Sequence, residues 1–135
     1  MYRYEIDEDL RLITATFEGE VTDTDLFEYL ADMLANTGYG AGWHSFIDFT
    51  RIGTVSLTTA GVEQMRALPP DMEKRLHGAR AVIVARANSA AFGMARMYEM
   101  LGDNVPYKIA VLSDHEEAMG WLFARTDRDD RSRST

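Results

Sequence analysis

The stretch Ala79 to Ala85, Ala-Arg-Ala-Val-Ile-Val-Ala, is a short and almost continuous apolar run. Runs of this kind are strands buried on both faces of a parallel sheet, so the chain around it has to supply covering helices. The flanking sequence does so. Trp43 to Phe49 reads as a strand before it and Tyr107 to Leu112 as a strand after it, with helix-like segments between. The first intervening helix is capped by Ser56 or Thr58 and runs to Leu68, where Pro69-Pro70 ends it. The second is capped by Asn88 or Ser89, runs to Leu101 and is closed by Gly102.

The N-terminal third obeys a different period. Tyr2 to Ile6 and Leu10 to Phe17 read as strands, the second setting Leu10, Leu12, Thr14 and Thr16 against Arg11, Ile13, Ala15 and Phe17. Asp7-Glu8-Asp9 is a tight acidic turn that joins them as an antiparallel hairpin. Glu18-Gly19-Glu20 breaks the run, and Thr22 or Asp23 caps a helix with Leu26, Phe27, Leu30, Met33 and Leu34 on one stripe, stopping at Gly38. At the other end, Ser113 and Glu116 are spaced as a capping box for a last helix through Met119, Trp121 and Leu122. The expected fold is therefore one α/β domain over residues 1–125. It has a mixed sheet of about five strands, an N-terminal antiparallel hairpin and about four helices, followed by a disordered polar tail over 126–135.

Charge and cysteine content narrow the function. All of the net charge of −8 resides in residues 1–36, where ten acids face two arginines; the remainder is balanced. An acidic protein without a Lys/Arg cluster is not built to neutralise phosphates, so no nucleic-acid partner is expected. The acidic face is either a solubility device or a dock for a basic protein. No cysteine is present, which removes thiol catalysis and thiolate-held metals. No segment is a membrane span or a secretory signal, so a cytoplasmic location is expected.

Catalytic and cofactor patterns are weak. His44, His77 and His115 share no helical face, and His115-Glu116-Glu117-Ala118-Met119 has Met where a zinc-protease helix has its second His. No metal is expected. The glycines of Gly38-Tyr39-Gly40-Ala41-Gly42 follow a helix and precede a strand, the reverse of a dinucleotide fingerprint, so no cofactor is expected either. Ser56, Thr58 and Thr59 lack an adjacent base, and Glu116 and Glu117 point apart on a helix. The chain is expected not to be an enzyme. What remains is a rim of strand ends that lead into capped helix starts: Asp48-Phe49-Thr50-Arg51 before Ser56, Arg86-Ala87-Asn88-Ser89, and Ser113-Asp114. Arg51 and Arg86 near helix amides at such a rim would favour an anion. Met94, Met97 and Met100 with Phe92 and Tyr98 on one helix fill a core or form a pliable apolar groove.

The segments Phe46 to Thr59, Arg80 to Ala85 and Ala91 to Leu101, with Asp114-His-Glu-Glu-Ala118 before Trp121-Leu122, resemble the SpoIIAA-like family of small STAS-fold proteins over nearly residues 2–123. That family is also likened to Sec14-type lipid-binding domains and is largely uncharacterised. The resemblance implies a STAS-type fold and a regulatory binding role. In the anti-sigma-factor antagonists of the superfamily, a Ser or Thr in an Asp-Ser-Ser-Gly-type turn is phosphorylated. Here Asp48 matches the strand-end Asp and Thr58 the acceptor, while Ser56 replaces the preceding acid and Thr59 the following glycine. The expectation is a domain that binds a protein partner or a small ligand, apolar ones included, through Thr50, Arg51, Ser56, Thr58, Thr59, Arg86, Ser89, Phe92 and Arg96, with homodimerisation open. The alternative is a phospho-switch at Thr58.

Overall fold

A computed structural model describes residues 1–35, 43–61, 79–101 and 108–124. Its elements are β1 (Tyr2–Asp7), β2 (Leu12–Thr22), α1 (Asp23–Ala35), β3 (His44–Ser56), β4 (Arg80–Val84), α2 (Ala90–Leu101), β5 (Lys108–Leu112) and α3 (His115–Leu122). The five strands form one sheet in chain order. β1 and β2 are antiparallel; β2, β3, β4 and β5 run parallel. The mixed sheet with its N-terminal hairpin is as the sequence predicts. The glycine-spaced loop at 38–42, the part beyond Gly61 of the helix predicted through Leu68, His77, Gly102 and the tail at 126–135 lie outside the described residues.

Strand alternation sorts the core into two layers. Crossovers that step the same way across a sheet place their helices on one face. Accordingly Ile13, Ala15, Phe17 and Ile83 pack with Leu26, Tyr29 and Met33 of α1 and Ala91 and Ala95 of α2. The intervening residues Leu12, Phe46, Val82 and Val84 face the other way and meet Ala118 and Leu122 of α3. The Ala79 to Ala85 run is thus covered on both sides, with Val82 and Ala85 fully buried.

Three elements depart from the sequence reading. Glu18-Gly19-Glu20 does not end β2: Gly19 takes φ +67 and the strand continues to Thr22, with Val21 buried. Phe49 does not end β3, which runs seven residues further to Ser56. The partner register explains why this was missed. Thr16 faces Asp48 but Glu18 faces Arg51, and Gly19 faces Ile52 but Glu20 faces Thr54. Each step inserts one extra residue into β3, a bulge that reverses which face the next side chain meets. Phe49, Ile52 and Val55 therefore all pack on the main core at intervals of three, and a period-two test reads them as loop. Finally, α3 is capped by Asp114, whose carboxylate accepts from the Glu116 amide at 3.3 Å, rather than by the predicted Ser113.

Candidate functional site

The long β3 decides where the predicted site residues go. β4 pairs with β3 only as far as Asp48, opposite Val84. Beyond it, β2 and β3 continue together as a two-stranded arm from Glu18/Arg51 to Thr22/Ser56. The arm spans six β2 residues past Thr16, on the order of 20 Å at strand rise. The helix starts after β3 and β4 were expected on a common rim. They point the same way, but the arm carries one far beyond the other, and the site residues fall into two groups.

The first group lies at the fork where β4 leaves β3. Asp48 Oδ1 accepts from both the amide (2.7 Å) and the hydroxyl (2.6 Å) of Thr50, which fixes Thr50 on its own strand. Asp48 is therefore mid-strand, not the strand-end residue of a phospho-acceptor turn. Arg51 is exposed opposite Glu18. Arg86 is exposed and its carbonyl accepts from the Ser89 hydroxyl at 2.7 Å. Ser89 Oγ in turn accepts from the Phe92 amide at 3.0 Å, the N-cap that starts α2. Phe92, Met94 and Met97 are half-buried against the main core, so this stripe serves packing. Arg96 is exposed and ion-paired with Glu99 at 3.2 Å.

The second group forms the tip of the arm. Ser56 donates its hydroxyl to Glu20 Oε2 at 3.0 Å. Thr58 donates its hydroxyl to Asp23 Oδ2 at 2.7 Å and its amide to Asp23 Oδ1 at 3.1 Å. The same hydroxyl accepts from the Gly61 amide at 2.9 Å, making Thr58 the cap of the helical backbone that begins at Thr59. Gly61 is required here, because a Cβ on it would collide with the Asp23 carboxyl. Asp23 is free for this task because α1 is capped elsewhere. Thr22 Oγ1 accepts from the Asp25 amide at 3.4 Å while Asp25 accepts from the Thr22 amide at 3.0 Å, a reciprocal box.

Sequence reasoning found Ser56, Thr58 and Ser89 through their capping chemistry. It missed Glu20 and Asp23, which meet Ser56 and Thr58 only across more than thirty residues of chain, and Gly61, whose close neighbour Asp23 is as distant in sequence. It also missed a polar cluster on the opposite end of β3. There His44 Nδ1 accepts from the Arg80 amide at 3.1 Å, and burial followed by the Arg80 charge holds its imidazole below its ordinary pKa. Arg80 itself is 5% exposed, lies over the Trp121 ring at 5.6 Å and donates to the Trp121 carbonyl at 2.8 Å. Among the described residues, no group of three or more His, Asp or Glu side chains is placed to hold a metal. Nor is any described helix long and apolar enough to cross a membrane.

No protein-family model and no curated protein matches the chain. A solved structure does: an uncharacterized protein of the DUF3478 family with a SpoIIAA-like fold from Shewanella loihica PV-4. It is 17% identical, with a TM-score of 0.55, over 90% of this chain and 92% of that one. The likeness establishes the SpoIIAA-like fold that the sequence resemblance implied.

Proposed function

We propose that this chain is a non-enzymatic regulatory domain of the cytoplasm that binds a basic protein partner through the tip of the β2–β3 arm. One observation carries the reading: Glu20 and Asp23 from one stretch of chain and Ser56 and Thr58 from another converge on one tip and are tied there in two pairs, Ser56 to Glu20 and Thr58 to Asp23. The two acids of the tip, Glu20 and Asp23, belong to the stretch that holds the whole net charge of the molecule. A fixed acidic surface of this kind steers and orients a basic partner.

The test begins with the partner recovered from source-cell extract and repeats binding with both proteins pure. Glu20→Lys is expected to weaken binding and added salt to weaken it further, while Arg86→Ala leaves it unchanged. Equal binding by Glu20→Lys and wild type removes the tip from the interface. Native mass spectrometry of the protein purified from cells covers the other class: a retained apolar molecule with no bound protein turns the reading to ligand binding.

A second reading is favoured by Thr58 alone. Its hydroxyl is the donor that joins the end of β3 to the Asp23 carboxylate. Phosphorylation would replace that donor with about −1.5 to −2 charges facing Asp23 and Glu20, and the repulsion would open the tip. A phosphorylated pool in the source cell, and loss of partner binding in Thr58→Asp but not in Thr58→Ser, is the expected result; an unmodified pool with unchanged binding ends it.

A further inference from the structure

The edge of the sheet at β5 carries a contact that neither capping nor core packing explains. Backbone groups along a strand alternate in direction, so the β4 partners fix which groups of β5 face outward. The Lys108 amide donates to the Ala79 carbonyl, and the Leu112 carbonyl accepts from the Ala85 amide. Lys108, Ala110 and Leu112 therefore turn their backbone groups toward β4, and Ile109 and Val111 turn theirs away from it, to the side where the sheet has no further strand among the described residues. An outward N–H on an edge strand is a template for another strand.

At Val111 that donor is occupied. Its amide donates to Glu99 Oε2 at 3.2 Å, and the other oxygen of the same carboxylate is held by Arg96 at 3.2 Å. Glu99 comes from α2, whose cap and apolar face are satisfied elsewhere, and among the described residues its carboxylate meets only the Val111 amide and Arg96. Arg96, one of the residues singled out in the sequence, is the side chain that aims it.

We propose that Glu99 is a latch that keeps the outer edge of β5 from pairing with the β5 of a second copy of this chain. A two-fold antiparallel pairing centred on Ala110 would set Ile109 of each copy opposite Val111 of the other, the hydrogen-bonded arrangement in which both residues exchange N–H and C=O. The flanking charges fit that register. Exposed Lys108 at one end of β5 would come beside exposed Asp114 just past the other end of the second copy's strand. Each copy would join its sheet to the other's, and the latch decides whether it does.

The test is sedimentation velocity and backbone amide exchange on the whole chain. Glu99→Ala is expected to exchange the Val111 amide about fivefold to tenfold faster at low concentration, the loss of one hydrogen bond. At high concentration it is expected to sediment as a larger species than wild type. Glu99→Gln, which keeps one acceptor oxygen for Val111 but loses the pairing with Arg96, is expected to fall between Glu99→Ala and wild type in both readouts. Adding Ile109→Pro to Glu99→Ala removes an outward N–H without touching the β4 ladder and returns the wild-type size. Should that double variant fail to fold, Lys108→Glu takes its place, setting acid beside acid across the pairing. Wild-type sedimentation and Val111 exchange in Glu99→Ala overturn the proposal, as does association that neither second change reverses.

Discussion

Phe17 has no exposure to solvent and holds three rings around it: Tyr2 stacked at 5.6 Å, and Tyr29 and Phe49 edge-on at 5.6 and 5.3 Å. These rings tie β1, β2, β3 and α1 together at one side chain. Phe17→Ala is expected to lower stability by about 3–5 kcal/mol, read from urea denaturation, since the cavity cannot close without moving three aromatics. Beside it, the Tyr2 hydroxyl donates to Asp32 at 2.6 Å; ionisation would forfeit that hydrogen bond, and with burial and the Asp32 charge adding to this, its pKa is pushed up to about 12. His44 gives the molecule a pH dependence of definite sign. Folding holds its pKa below the ordinary 6.5, first by burial and then by Arg80, so below pH 6.5 the unfolded chain binds more protons than the folded one. The stability tied to neutral His44 is complete above pH 6.5 and is lost as pH falls through the lowered value. Urea midpoints from pH 8 down to pH 5 are expected to drop, and the drop is expected to shrink in His44→Asn, whose side-chain oxygen still accepts from the Arg80 amide.

Among the elements, β3 shows how a strand escapes notice. Its first half, Ser45 to Phe49, keeps period two and was legible; its second half packs Ile52 and Val55 on the same core through two bulges. Each bulge costs one residue of register, so the apolar positions stop alternating although the strand does not stop. β2 erred in the opposite sense. Ile13, Ala15, Phe17 and Val21 keep strict alternation, but Gly19 between two glutamates looked like a turn. Gly19 is there for its backbone: φ is +67 and a Cβ would meet nothing within 4 Å. Gly19→Ala is expected to cost about 1–2 kcal/mol from left-handed strain alone. Gly19→Asn is expected to cost less, and Gly53→Ala, where φ is not positive and a Cβ would make an ordinary contact, close to nothing. Denaturant midpoints of the three variants separate backbone strain from crowding.

For the whole molecule, the two sheet faces are unequal. α1 and α2 cover one, while α3 covers the other with Ala118 and Leu122 as its buried residues. The short helix is held at its far end by Arg80, whose guanidinium meets the Trp121 carbonyl and ring. Arg80→Ala is expected to raise amide exchange in α3 and shift Trp121 fluorescence toward that of exposed indole, while amides of β2 and β3 keep their protection. Equal loss of protection across both faces would show that α3 opens only with the whole domain. From the residues alone came the element order, the mixed sheet and the capping hydroxyls, because periodicity and helix-start chemistry act within a few positions of the chain. The arm, the Asp23–Thr58 and Glu20–Ser56 ties, and the carboxylate on the β5 edge were settled only by folding. Each depends on register between strands or on a side chain reaching a distant backbone group, and no local pattern in the sequence encodes such a distance.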